Sequence, residues 1–173
     1  MQNTVSLIWL LGWLEMRTLK VGMSYATIST APGVSFASER FPFADVVWER
    51  IFNLHGDEVR GRAMVIDWQR YRTMELSDRL VWIVARYAGE VVAYSGHYWY
   101  FDLHFGDKIG ADDLWYVKPD FRHRGIGRRV REIGLHELKA MGVTATYDLI
   151  RVGGPDLSHM GYRIARNQCM KEL

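Results

Sequence analysis

The chain has a single cysteine, Cys169, among its 173 residues. One thiol excludes an internal disulfide and a zinc site built from several cysteines, so no metal is expected. It fits a reducing, cytoplasmic setting. Charge of one sign is also scarce: 22 Lys and Arg against 20 Asp and Glu leave a formal net charge of +2. That is too mild to argue for nucleic acid as a partner. Long apolar runs are missing as well. The uncharged run Val5 to Leu14 is ended by Glu15, Arg17 and Lys20, and it falls short of the ~20 residues that span a bilayer. No Lys or Arg precedes it, so it lacks the basic region of a secretory signal. No membrane anchor is expected. The run reads as a peripheral helix or strand packed on the domain or on a partner. The alternative is a non-native extension, since Met16 and Met23 could each begin a shorter product.

The remaining composition is that of a globular chain, with 49% hydrophobic and 24% charged residues. It suits one domain with a sizeable core. An aromatic share of 13%, with seven Trp, points to a dense core or an aromatic-walled pocket. We expect an N-terminal extension over residues 1–32 and the folded domain over 33–173. Gly33 to Ala37 can form a first strand. Val47, Ile51 and Leu54 sit at helical spacing in a helix over 44–54, with His55-Gly56-Asp57 as its stop. A second helix over 66–76 carries Trp68, Tyr71 and Met74. Val81 to Tyr87 and Val91 to Phe101 are β-branched and aromatic, joined by a hairpin turn at Ala88-Gly89-Glu90. A turn over Phe105 to Gly110 leads into a strand at Leu114 to Val117, completing an antiparallel meander. Pro119 stops that strand. A helix after Gly127 ends at Met141-Gly142. Val143 to Ile150 then reads as a strand parallel to the Leu114 strand if the helix is a crossover. Gly153-Gly154-Pro155 opens a short helical turn, and a last strand follows Gly161. The class is α+β, with a mixed sheet.

The chemistry concentrates in Asp113 to Val130, D-L-W-Y-V-K-P-D-F-R-H-R-G-I-G-R-R-V. A strand, a basic glycine-bearing loop and a helix start follow one another. Inward-turned amides and the positive end of a helix make an anion the natural guest. The spacing Arg122-x-x-Gly125-x-Gly127 lacks the third glycine of the dinucleotide fingerprint, and no Gly-Lys-Ser/Thr follows. Instead, Val117 to Gly127 behind this strand resembles the acyl-CoA loop of the GNAT superfamily of N-acetyltransferases. The upstream hairpin, the Met141-Gly142-Val143 junction and Gly161-Tyr162 extend the likeness over roughly residues 33 to 173. The closing H-M-G-Y and M-K-E-L also resemble small phage-encoded members.

The resemblance implies a GNAT-like fold: antiparallel meander, central strand–loop–helix, and a splayed parallel strand pair. It implies acetyl-CoA as co-substrate. Backbone groups of Trp115, Tyr116 and Val117 would pair with the pantetheine arm. Amides from Arg122 through His123, Arg124, Gly125, Ile126, Gly127 and Arg128 would hold the pyrophosphate. Glycine at 125 and 127 lets the chain approach phosphates without a Cβ in the way. Lys118, Arg122, Arg124, Arg128, Arg129 and Arg131 crowd the region against only Asp120; an anionic cofactor is one reason, a solvated helix face the other.

Transfer to an amine needs a base, and Asp112 and Asp113, read as the start of the strand, are candidates because a carboxylate can take the ammonium proton. A structural pair of acids is the competing reading. Backbone N–H near Val117 could serve a developing oxyanion. His97, Asp102 and His104 are further candidates, each as readily structural. The family's frequent general-acid tyrosine falls on Leu157, so Ser158, His159 or Tyr147 could stand in. The expected activity is transfer of an acetyl group from acetyl-CoA to a primary amine of a protein or small molecule, by direct attack in a ternary complex, because Cys169 is poorly placed as a covalent carrier. Tyr98 to Phe101 and His55 to Arg62 could wall the acceptor site, and a homodimer is compatible with the sequence. The alternatives are a non-catalytic GNAT-fold protein that binds a protein partner and, with weaker support, nucleic-acid binding through the basic helix.

Overall fold

The computed structural model describes residues 31–43 and 45–147. The Val5–Leu14 run, Leu157, Ser158, His159, Cys169 and the elements expected after Gly153 lie outside the described residues. Within them the order is β1 (Val34–Ser38), α1 (Val46–Arg60), α2 (Trp68–Leu76), β2 (Leu80–Tyr87), β3 (Glu90–Phe101), β4 (Lys108–Val117), α3 (Ile126–Ala140) and β5 (Ala145–Tyr147). The strands form one sheet in sequence order. β1 to β4 pair antiparallel, and β5 joins β4 in parallel. α3 is the crossover between those two, as the sequence implied.

The sheet has a core on each face, as β2 makes visible. Val81, Ile83 and Ala85 point to one core together with Ile126, Val130, Ile133 and Leu138 of α3. Trp82 and Val84 point to the other, with Trp48, Ile51 and Phe52 of α1 and Tyr71 of α2. A strand covered on both faces shows a continuous apolar run instead of alternation. The hairpin from β2 to β3 places Ala88 and Gly89 at φ of 49° and 84°, the two positive dihedrals that a two-residue turn requires.

Two boundaries differ from the sequence expectation by more than two residues. α1 does not stop at His55-Gly56-Asp57 but runs to Arg60, with Gly61 as its left-handed cap. Gly56 is an interior glycine because the chain beyond the helix crosses it closely. A Cβ there would lie 2.5 Å from the Arg62 carbonyl oxygen. Its helical cost, about 1 kcal/mol against alanine, is met by that packing. β4 begins at Lys108, six residues before Leu114. Its K-I-G-A-D-D segment has little β propensity, and tertiary pairing with the long β3 imposes the strand.

The early start of β4 moves both aspartates from a strand start into a strand interior. His97 faces Asp112 and Gly96 faces Leu114, with a register shift between them. Asp113 is therefore the extra residue of a β-bulge, a feature that breaks the ladder and re-aims a side chain.

Candidate active site

The loop after β4 is built by local bonds. Pro119–Phe121 forms a single 3-10 turn, and the Arg122 amide donates to the Pro119 carbonyl at 3.1 Å. Gly125 takes φ 75° and begins α3 with no side chain capping the helix start. The first-turn amides are thus left for an outside acceptor, and the helix dipole favours an anion there. Gly127 serves a different purpose. A Cβ at this position would lie 2.9 Å from Val117 Cγ2 and 3.1 Å from the Trp115 ring. Its hydrogen lets α3 lie close on β4.

A cleft of about 390 Å³ opens between this loop, the end of β4 and the end of α1. Nine of the ten residues expected to hold the cofactor line it: Trp115, Tyr116, Val117, Arg122, His123, Gly125, Ile126, Gly127 and Arg128. Arg124 is the exception; its guanidinium lies 5.5 Å from the centre of the Phe121 ring. Trp115 holds a buried indole N–H without a hydrogen-bond partner. The register of β5 against β4 covers Ile109, Gly110 and Ala111. Among the described residues, no strand pairs with that edge of β4 beyond Ala111.

The cationic surplus is smaller than the sequence suggested, because acids reach it from other elements. Arg122 pairs with Glu58 of α1 at 2.5 Å and donates to the Val117 carbonyl at 3.0 Å. Arg128 and Arg129 both reach Glu132, at 2.6 and 3.6 Å. Arg131 is neither solvated nor in the cleft: it is 2% exposed and pairs with Asp112 at 2.5 Å. Its guanidinium lies 4.7 Å from the centre of the Trp115 ring, within cation–π range.

The two aspartates have separate surroundings. Asp112 faces α3, touching His97 Nδ1 with one oxygen and Arg131 with the other. Burial alone would raise its pKa, but His97 and Arg131 outweigh burial and hold the carboxyl below its ordinary 3.8. Asp113 faces the α1 and α2 side, where it accepts a hydrogen bond from the Tyr71 hydroxyl of α2. Burial raises its pKa above 3.8; the Tyr71 bond and the nearby Arg70 charge oppose the rise, and Asp112 adds to it. Asp113 keeps an exposed surface, so it can meet both solvent and an acceptor. Burial, with Asp113 beside it, keeps Tyr71 protonated far above its usual range.

A folded-state pKa below the unfolded value stabilises above the unfolded pKa and is lost as pH falls through the folded one. Asp112→Asn should therefore lower stability near neutral pH by about 3 kcal/mol, the scale of leaving a buried partner uncompensated. The deficit should shrink as pH drops below 3.8, the ordinary aspartate value. Urea unfolding of both proteins at pH 7 and in acid measures it; equal stability near neutrality would remove the ion pair from the account.

His97, Asp102, His104 and Tyr147 separate in the fold. His97 is fully buried. Asp102 caps the β3–β4 hairpin, accepting from the His104 and Phe105 amides at 2.8 Å. His104 is exposed at that tip, and Tyr147 is exposed on β5. One residue of the site was not assigned to it from sequence, and another was given a different place in it. Tyr71 was read only as part of an apolar helical stripe. His55 was read as a helix stop and as part of an acceptor wall, and it lines the cleft beside the residues expected for the cofactor, with Nδ1 2.7 Å from the Tyr94 hydroxyl and its ring stacked on Tyr116 at 4.9 Å. Burial lowers its pKa, Glu58 opposing and Arg122 assisting. The signal was present: His55 follows Ile51 by one helical turn, on the buried face.

Among the described residues, no group of three or more His, Cys, Asp or Glu could hold a metal ion, and no helix is long and apolar enough to cross a membrane.

Known proteins share the fold. The model of the Acetyltransferase (GNAT) family matches residues 47–152. No curated protein matches the chain. Among solved structures, a transcriptional regulator from Bacillus halodurans C-125 is similar at a TM-score of 0.66 with 14% identity, over 81% of this chain and 99% of that one. A predicted acetyltransferase with acetyl-CoA from Clostridium acetobutylicum gives 0.65 with 13% identity, over 80% and 96%. Glucosamine-6-phosphate N-acetyltransferase from Arabidopsis thaliana gives 0.60 with 16% identity, over 79% and 97%. At such identities the likeness is one of fold.

Proposed function

Because the chain belongs to the GNAT family of acetyltransferases, we propose that it moves an acetyl group from acetyl-CoA to a primary amine by direct attack in a ternary complex. The observation that carries this reading is the cleft over the β4–α3 loop, which gathers nine of the ten residues expected for the cofactor. The residues fit an acyl-CoA. An uncapped helix start suits a pyrophosphate, a β4 edge with no described partner beyond Ala111 suits an extended amide-bearing arm, and Trp115 brings an orphaned N–H. When bound, acetyl-CoA supplies the activated acetyl thioester.

The chain's own residues supply the rest. Amides from Gly125 to Arg128 would bind the pyrophosphate, and Trp115, Tyr116 and Val117 would orient the arm. The Asp113 carboxylate would take the proton from the acceptor ammonium, since an amine attacks only when neutral. Tyr71 holds that carboxylate in place. Asp112 and His159 remain in the proposal as lesser candidates for proton transfer. Aminoglycoside and sugar-phosphate acetyltransferases share the fold, so a small-molecule amine and a protein amine are both admissible acceptors. A cytoplasmic setting and no membrane or nucleic-acid partner complete the reading.

Isothermal calorimetry with acetyl-CoA and with CoA is the direct test. Saturable binding is expected below roughly 1 mM, the upper end of usual substrate constants. No heat of binding at that concentration would sink the proposal. Mass spectrometry of amines incubated with labelled acetyl-CoA would then separate a transferase from a non-catalytic member of the same fold.

A further inference from the structure

Four polar side chains lie deep between the sheet and α3, outside the cleft. The Ser95 hydroxyl donates to the Val130 carbonyl at 3.1 Å, and His97 Nε2 lies 2.9 Å from that hydroxyl. His97 Nδ1 touches Asp112, whose second oxygen meets Arg131 at 2.5 Å. Ser95 and His97 are fully buried and Arg131 is 2% exposed. The order serine, histidine, aspartate is that of a nucleophilic triad, but this hydroxyl has no access to a substrate and is spent on a helix carbonyl. Hydrolytic chemistry is excluded by burial.

The chain has a built seat. A Cβ on Gly134 of α3 would lie 2.1 Å from His97 Nε2, so the helix omits a side chain where the imidazole sits. Burying ionic groups is a poor way to gain stability, because apolar residues of equal volume often do as well or better; such groups can instead fix one arrangement against its neighbours. Here the neighbouring arrangement is a one-residue register slip at the bulge, where Asp113 is the unpaired residue between Asp112 and Leu114. A slip would exchange the faces of the two aspartates.

We propose that the Ser95–His97–Asp112–Arg131 chain is a positioning device for acetyl transfer. It pins β4 at the bulge from the α3 side and so holds the Asp113 carboxylate towards the acceptor. Tyr71 grips the other side of the same bulge. Arg131 also lies over Trp115, which lines the cleft, so one helix ties the cofactor half of the site to the base. The inference rests on the reading of Asp113 as the base, and on its deprotonation as the acidic limb of the rate profile. The titratable and charged groups that act on Asp113 are Tyr71 and Arg70 from α2, Tyr94 and Tyr98 from β3, and, from the opposite face, His97 of β3 and Asp112 of β4 itself.

The test compares Asp112→Asn, Arg131→Met and Arg131→Lys in the full chain, with folding checked by circular dichroism. Displacing a reacting group by about 1 Å can cost on the order of 100-fold in rate. Asp112→Asn and Arg131→Met should therefore lose 10- to 100-fold in kcat, a range on the order of that cost, and show a moved acidic limb in kcat/KM, while Asp112→Asn keeps its acetyl-CoA dissociation constant. Arg131→Lys should recover part of the loss. A merely structural role would move none of these in the folded variants. Wild-type kcat and an unmoved limb in folded Asp112→Asn overturn the proposal; should that variant not fold, the same result in folded Arg131→Met overturns it. Asp113→Asn separates the two readings. If that variant is as fast as wild type, the base assignment fails. If it is slow while the Asp112 and Arg131 variants are normal, only the positioning role fails.

Discussion

Asp113→Asn should lower kcat by about 10²- to 10⁴-fold, the usual contribution of a positioned acid or base, with acetyl-CoA still bound. The carboxylate acts only when ionised, so wild-type kcat/KM should fall as pH drops through its pKa. Burial places that pKa above the ordinary 3.8, and the acidic limb should be displaced upward accordingly. The variant keeps an oxygen for Tyr71 to donate to but cannot take a proton, so its residual rate should be flat through the same limb. The stability outcome has the opposite sign from Asp112. A folded pKa raised above the unfolded value disfavours the folded state once pH exceeds both. Asp113→Asn should melt no lower than wild type at neutral pH. Rate profiles and thermal melts of the two aspartate variants, taken together, check this. A fast Asp113→Asn enzyme with the wild-type limb would remove the residue from catalysis.

Gly125→Trp should abolish acetyl-CoA binding while the domain stays folded. Gly125 sits at φ 75°, where a side chain costs roughly 1–2 kcal/mol. The position is exposed and lines the cleft, so the strain is borne by the loop and the indole occupies the cleft instead of the core. Calorimetry should register no binding up to about 1 mM cofactor, with a far-ultraviolet circular dichroism spectrum like that of wild type. Normal binding would show that the loop does not receive the pyrophosphate. Gly127 is a poorer probe, because a side chain there meets Val117 and Trp115 and would disturb the helix–strand contact itself.

Much of this could be read from local pattern. The apolar run of β2, the Ala88-Gly89 turn and the amphipathic stripe of α3 each carry their cause within a few residues. So does the strand–loop–helix order around Gly125. Errors fell where a distant contact overrides that pattern. α1 continues through Gly56 because the chain near Arg62 packs on it. β4 starts at Lys108 because β3 is long enough to pair with it. Arg131 reads as one more surface cation until the sheet supplies Asp112.

By itself, then, the sequence determined the antiparallel meander, the crossover and the strand–loop–helix order with its two glycines, since periodicity and turn dihedrals are local properties. Tertiary structure alone decided that adjacent, chemically identical aspartates have different surroundings. Strand residues alternate in face, and which face is which depends on register against another strand. One unpaired residue opposite Gly96 and His97 therefore buries Asp112 against Arg131 and leaves Asp113 open beside Tyr71.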